Sequence, residues 1–293
     1  MTYIIVDFEW NQPVDTAVTE PFFFDSEIIE IGALKLNEDF EPLDEYKAYV
    51  RPTRYRALNG KVVRLTKIRP QDLEKAELFP TVCADFLAWC GDSFCFCTWG
   101  PDDVPVLLDN MLIHGMDVAP VVYWCDLQMI FSREIMRDDK QWSLESAVDT
   151  LGLPKERAHD ALHDARNTYT ICTRVDIPAF VDDYHQSYVN YDVDRLSGAK
   201  EFGSSEEMER DEALATFPCP YCGEAITLDA PVYTARNAYM RYGRCSEGDE
   251  YLGRYRITRL PDEAVSVRRS ICEMTDLLWE EYQDATTDNL HPE

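Results

Sequence analysis

Three short stretches carry side chains that could do chemistry together. The first is Asp7 and Glu9, which follow the apolar run Tyr3–Val6. That run reads as a strand buried on both faces. Residues i and i+2 of a strand share a face, so the two carboxylates sit side by side at its carboxyl end. Ligands of open α/β sheets bind at that end. Adjacent carboxylates repel, and burying them unpaired is costly. A divalent cation removes that cost, and hard oxygen donors suit Mg2+ or Mn2+. The alternative is an edge strand with two solvated acids, against which the unbroken apolar run argues. The second stretch is Trp99-Gly100-Pro101-Asp102-Asp103, an acidic pair in a turn between a strand and a helix. The third holds His159, His163 and Asp164 near the start of a helix over His159–Thr173. A lone histidine is ordinarily structural. A histidine and an aspartate at the opening of a helix, following two acidic clusters, are less easily dismissed.

Positioning these groups takes alternating strands and helices. Pro13–Asp25 reads as a loop, Ser26–Asn37 as a second strand and Tyr46–Val50 as a third, with a hairpin-like connection over Asn37–Asp44. Phe79–Cys90 has helical periodicity, with Phe79, Val82, Phe86 and Trp89 on one face. Ser93–Thr98 and Val121–Cys125 are further strands. Val104–His114, Leu127–Met136 and Leu144–Leu151 are helices, the last opened by Ser143 as N-cap. Arg54–Gln71 concentrates six basic residues and reads equally as a local phosphate contact or a solvated loop. Residues 1–176 therefore form one α/β domain. Residues 177–212 are polar and acidic and read as a linker or exposed helix, and 213–293 as a small second module.

Composition limits the function. The 293 residues are 45% hydrophobic and 12% aromatic, enough for a sizeable core in one large domain plus a smaller one. The N-terminal apolar run has no basic start and stops at Asp7, and no apolar segment approaches a membrane span. The ten cysteines, several inside apolar patterns, are then expected to be reduced core thiols of a cytoplasmic protein without a membrane partner. The net charge of −27 has the wrong sign for a broad basic surface that holds nucleic acid. A polyanionic substrate would have to be held locally.

Taken together, the three clusters resemble the motifs of the DEDD-type 3'→5' exonucleases with a histidine in the third motif, the DEDDh group. Asp7-Phe8-Glu9 is similar to the first motif, Trp99 to Asp103 to the second, and His159 to Ala165, HDALHDA, to the third. The segment 28–36, IIEIGALKL, also resembles the group's second strand. The Trp-Gly of the second motif leans toward the RNA-trimming "enhanced RNA interference" branch and its bacterial relatives, with polymerase proofreading subunits further away. The resemblance implies a ribonuclease H-like fold, a mixed five-stranded sheet flanked by helices. It implies that Asp7, Glu9, Asp103 and Asp164 hold two Mg2+ or Mn2+ ions, with His159 as general base. Asp103 is preferred to Asp102, a possible helix cap, because it stands four residues after the tryptophan as in the group. His159 is preferred to His163 because it has the motif spacing. Phe8 is implied to shape the terminal-nucleotide pocket through its main chain. Trp10 could stack on a base or serve as a core wedge. Lys67 stands where the group often has glycine, in Leu65-Thr66-Lys67-Ile68, and could be a phosphate clamp.

The expected activity is hydrolysis of single-stranded nucleic acid, RNA favoured over DNA, to mononucleotides by a two-metal mechanism. The rivals are a nucleic-acid-binding adaptor with a vestigial nuclease domain and a DNA proofreading-type exonuclease. In the second module Cys219-Pro220-Tyr221-Cys222-Gly223 reads as a zinc knuckle. Its partner pair is incomplete, because only Cys245 follows nearby. Either Zn2+ is held by Cys219, Cys222, Cys245 and an unusual fourth ligand, or this is a degenerate zinc ribbon without metal. Cys272 is read into a helix over Ser270–Tyr282. Tyrosines and arginines interleave from Tyr233 to Arg269, either as a single-strand surface or as a small β module with solvated arginines. The oligomeric state is not legible.

Overall fold

In the computed structural model the described residues are 1–14, 26–118, 121, 123–187, 199–219, 224–235 and 237–289. The chain divides into two compact units, one built from Met1–Thr19 and Phe24–Gln186, the other mainly from Ser187–Glu293.

In the first unit, β1 (Thr2–Asn11), β2 (Glu27–Leu36) and β3 (Pro42–Tyr49) precede the helices α1 (Gly60–Thr66), α2 (Pro70–Leu73) and α3 (Phe79–Cys90). Then come β4 (Phe94–Thr98), α4 (Asp103–Ile113), β5 (Tyr123–Asp126), α5 (Leu127–Ile130), α6 (Leu144–Thr150), α7 (Ala161–Arg174), α8 (Val181–Tyr184) and β6 (His185–Ser187). The sheet order is β3-β2-β1-β4-β5-β6. β2 runs antiparallel to β1 and β3, while β1, β4 and β5 are parallel. The five expected strands form this mixed sheet, and short β6 adds a sixth.

β1 is central, so its Ile4, Ile5 and Val6 are buried, as the apolar run requires. α3 begins with Phe79-Pro80, where the missing proline N–H is harmless, and ends at Gly91 with φ 93°. Ser143 caps α6 by accepting the Ser146 N–H at 3.2 Å. The core between the sheet and α7 includes Ile5, Cys95, Cys97, Cys125, Phe131 and Ile171. Among the described residues no cysteine is in a disulfide.

Several expectations change. β3 begins at Pro42, four residues before the expected Tyr46, because Pro42–Glu45 is exposed, as an edge strand tolerates. The helix expected over Leu127–Met136 becomes π-helical from Phe131. Arg54–Gln71 contains α1 and the start of α2 rather than loop alone. Residues 177–212 are not a linker over their described part. Ile177 and Val181 are buried in the first unit's core. β7 (Lys200–Phe202) and α9 (Ser205–Glu209) belong to the second unit, where Phe202 and Met208 are buried.

The second unit also contains β8 (Thr216–Pro218), β9 (Ala225–Thr227), β10 (Val232–Ala235), β11 (Ala238–Arg244), β12 (Glu250–Arg259), β13 (Val265–Glu273) and α10 (Asp276–Asn289). Its main sheet runs β10-β11-β12-β13-β7, beside the hairpin β8–β9. A five-stranded sheet, rather than a ribbon, thus makes up most of it. Cys272 lies in β13, not in a helix: inward Val265 and Val267 set a period of two, and the Cys272 thiol donates to the Leu252 carbonyl at 3.2 Å. Tyr239 and Tyr255 are buried, their rings stacked at 4.4 Å, so these two tyrosines form core rather than a strand-binding surface. Arg236 and Cys222 lie outside the described residues.

Candidate active site

The site is built on one row of the sheet. Asp7 pairs with Gly32 and Glu9 with Glu30 across β1 and β2, and Gly32 pairs onward with Lys47 of β3. Helix α7 lies against this row at very short range. A Cβ at residue 32 would sit 2.0 Å from the Leu162 nitrogen and 2.1 Å from the Ala161 carbonyl carbon. Only glycine admits that approach. Beside it, Lys47 Nζ stands 3.0 Å from Glu30 Oε1 and 2.6 Å from Asp160 Oδ1. The Ala161 N–H donates to Glu30 Oε2 at 3.2 Å, and Asp160 caps α7 by accepting the His163 N–H. These bonds seat the first turn of α7, which delivers Asp164.

Asp103 arrives from the other direction, at the start of α4. The Phe8 N–H donates to its Oδ1 at 3.0 Å, tying the second motif to the first. The preceding turn is held by the Gly100 N–H on Asp126 Oδ1 at 3.1 Å and by Thr98 Oγ1 on the Gly100 carbonyl at 2.7 Å. Gly100 has φ 111°, where a side chain would be strained. Asp102 is exposed at the N-cap position and makes no side-chain capping bond, whereas Asp103 is buried.

His159 precedes α7 rather than opening it, with φ 62°. Its N–H donates to Asp164 Oδ2 at 2.7 Å. Donor atoms of Glu9, His159 and Asp164 lie within 4.8 Å of one another. His163 turns elsewhere: its Nε2 is 3.2 Å from Glu156 Oε2, and it does not line the cleft.

Asp7, Glu9, Asp103, His159 and Asp164 all line one cleft of about 1010 Å³, together with Trp10, Leu65, Thr66, Trp99, Gln128, Lys155 and Arg157. A bulge in the β1–β2 ladder between Glu9 and Trp10 turns the strand end, and Trp10 lines the cleft beside Glu9. Phe8 also lines the cleft. Its ring is buried edge-on to Phe86 at 6.3 Å, and its N–H is taken by Asp103. Lys67 is not in the cleft. It caps α1 at φ 66°, the left-handed position that favours glycine, and its ammonium donates to the Arg64 carbonyl at 2.6 Å. The cleft wall there is Leu65 and Thr66.

The electrostatics are one-sided. Burial, then Asp103, Glu9, Asp164 and Glu30, push the Asp7 carboxyl well above the ordinary range. Burial and the same kind of neighbours push Glu9 up to about 8. Burial raises Asp103 to about 7 against the opposing Phe8 N–H bond. Asp164 is also raised by burial, although the His159 N–H and Asn167 oppose it. Buried carboxylates crowded in this way are a donor set that fits hard divalent ions.

Some supporting residues escape a reading of the sequence. Glu30 and Lys47 act through a pairing between segments far apart in the chain, with no local signal. Asn167 accepts the Glu156 N–H at 2.9 Å and donates to Asp164 Oδ1 at 3.3 Å, holding the loop before His159 against Asp164. Its i+3 spacing from Asp164 on a helix was the available signal.

The profile of the exonuclease family RNase_T matches residues 6–172. A PolC-type DNA polymerase III of Thermotoga petrophila is 31% identical over 174 residues, 59% of this chain but 12% of the polymerase. The Bacillus subtilis protein named "Probable 3'-5' exonuclease KapD" is 28% identical over 57% of this chain and 81% of its own length. The nuclease domain of 3'hExo, described as a DEDDh family member bound to rAMP, aligns at TM-score 0.51 and 22% identity, covering 62% of this chain and 92% of that one. Escherichia coli exonuclease I with a dT13 oligonucleotide aligns at TM-score 0.51 and 14% identity, covering 82% and 55%. The solved structures share the ribonuclease H-like fold.

Proposed function

The chain belongs to the RNase_T exonuclease family, and on that premise we propose that it is a metal-dependent 3'→5' exonuclease of single-stranded nucleic acid, with RNA preferred. The observation that carries this reading is the convergence of Asp7, Glu9, Asp103, Asp164 and His159 on one cleft. The four carboxylates would hold two divalent cations, which when bound supply an activated water and stabilise charge on the attacking and leaving oxygens. His159, exposed at the cleft and within reach of Glu9 and Asp164, takes the proton from the attacking water. Asn167 and the His159 N–H orient Asp164, and Asp103 is oriented by the Phe8 N–H. Trp10 and Leu65 offer apolar surface to a terminal base, and Lys155 and Arg157 bring positive charge to the cleft.

RNA is supported by the Trp99-Gly100 of the second motif and by the fold likeness to a 3'-exonuclease whose structure concerns histone mRNA stem-loop recognition. DNA as substrate is the second reading, favoured by the sequence likeness to PolC-type polymerases. Equal amounts of RNA and DNA strands of one sequence, incubated with Mg2+ or Mn2+, separate the two. The proposal expects mononucleotides released faster from RNA. Faster release from DNA moves the substrate to the proofreading class. Tight strand binding in chelator with no release from either strand would leave an adaptor in its place.

A further inference from the structure

We propose that Cys219, Cys245 and Asp249 form a zinc site that clamps two hairpins of the second unit together, with Asp249 in place of the cysteine missing from the second pair. Cys219 directly follows β8, and its N–H donates to the Glu224 carbonyl at 2.7 Å across the β8–β9 hairpin. Cys245 directly follows β11, where the chain reverses into β12. There the Cys245 N–H donates to the Asp249 carbonyl at 2.9 Å and the Gly248 N–H to the Cys245 carbonyl at 3.1 Å. Gly248 has φ 104°, which this tight turn requires. The two hairpins meet at close range. Leu228 bridges to Gly243, where a Cβ would sit 2.7 Å from Leu228 Cδ2 and 2.9 Å from the Thr227 carbonyl oxygen. Ser246 Oγ donates to the Glu224 carboxylate across the turns.

At this meeting point both thiols and an Asp249 oxygen lie within 4.8 Å of one another, with Cys245 Sγ 3.3 Å from Asp249 Oδ2. Both cysteines are buried. Zinc bonds of about 2.3 Å to sulfur and about 2.0–2.2 Å to oxygen place tetrahedral ligand atoms roughly 3.5–3.8 Å apart, so small side-chain adjustments bring these three donors onto one zinc ion. Two sulfurs and one oxygen suit zinc rather than magnesium or calcium. Cys272 shows what a purely packing cysteine looks like in the same unit: it sits within a strand and donates to a main-chain carbonyl. Cys219, whose Sγ also lies 3.2 Å from the Tyr251 hydroxyl, and Cys245 stand at adjoining hairpin turns within reach of the Asp249 carboxylate. In the sequence Cys222 stands three residues after Cys219, the spacing of a zinc knuckle, and lies outside the described residues. Binding replaces the two S–H bonds by Zn–S bonds and releases two protons to solvent, with no change of oxidation state.

The test uses the reduced full-length chain. Zinc content is measured after gel filtration without chelator, and the metal-free protein is titrated with Co2+ and followed by absorbance. A thiolate-to-cobalt charge-transfer band reports this site specifically, because none of the described residues that line the carboxylate cleft of the first unit carries sulfur. The proposal expects about one zinc retained in both wild type and Asp7→Ala. It expects the band in both, its loss in Cys219→Ser and Cys245→Ser, and at least about tenfold weaker cobalt binding in Asp249→Ala. Asp249→Cys restores the tight cobalt binding that Asp249→Ala loses, which separates loss of a ligand from loss of folding. No band in the reduced wild type, a band that persists in Cys219→Ser, or a Cys219–Cys245 disulfide as the only linkage would overturn the site.

Discussion

Asp103 is held where its charge is costly to the fold and useful to the site. Its carboxyl is raised to about 7 by burial, against an ordinary unfolded value of about 3.9. A raised carboxyl favours the folded state fully below the unfolded pKa, and that advantage is lost as pH rises through the folded pKa. Glu9, raised to about 8, acts in the same sense. The metal-free protein should therefore lose thermal stability between pH 5 and about pH 8, and Mg2+ or Mn2+ should remove most of that decline. Asp103→Asn keeps an acceptor for the Phe8 N–H. It should melt higher than wild type at pH 8 without metal and be inactive with it. Equal melting temperatures of the two metal-free proteins across this range would mean that Asp103 carries no such burden. The two histidines divide as sharply. His159→Ala should lower kcat about 10²–10⁴-fold while strand binding persists. His163→Ala, which alters partly exposed contacts with Glu156 and Asp160, should stay within a few-fold of wild type in the same assay.

At the scale of elements, the site depends on how closely α7 lies on β2. Gly32→Ala puts a methyl group into the Ala161–Leu162 backbone. It should cost about 3 kcal/mol and weaken metal binding by displacing Asp164, measured by denaturant unfolding and by metal titration. A stability loss below about 0.5 kcal/mol would show that the helix is not seated there. The elements themselves were largely legible. The apolar run before Asp7 marked a central strand, and the periodicity of Phe79–Cys90 matched its helix residue for residue. The i, i+2 spacing of Asp7 and Glu9 placed both on one face. What was hidden depended on distant partners. Pro42–Glu45 is a strand only because β2 pairs with it, since its own residues are all exposed and begin with proline. Lys67 reads as a cation for phosphate until the fold shows it ending α1 in the left-handed region, its ammonium on the Arg64 carbonyl. Glu30, Lys47 and Asp160 come from three segments and meet only once the sheet is assembled.

For the whole molecule, the net charge of −27 sets how a strand is held. Even the cations at the cleft are partly engaged: Lys155 lies 2.9 Å from both Glu145 and Asp149, and Arg157 lies 3.1 Å from Asp160. Little basic surface is left to track a polyanion, so degradation should be distributive and its salt dependence shallow. With a trap strand in excess, each encounter should remove only a few nucleotides; long uninterrupted runs would contradict this. The central claim is that five side chains from β1, α4, the loop before α7 and α7 itself make one hydrolytic centre. It is tested most directly by following a 5'-labelled single strand with Mn2+ for wild type, Asp7→Ala and His159→Ala. The account predicts a ladder that shortens from the 3' end, needs the metal and is lost or nearly lost in both variants. An intact strand with wild type, or a ladder unchanged in Asp7→Ala, would contradict it.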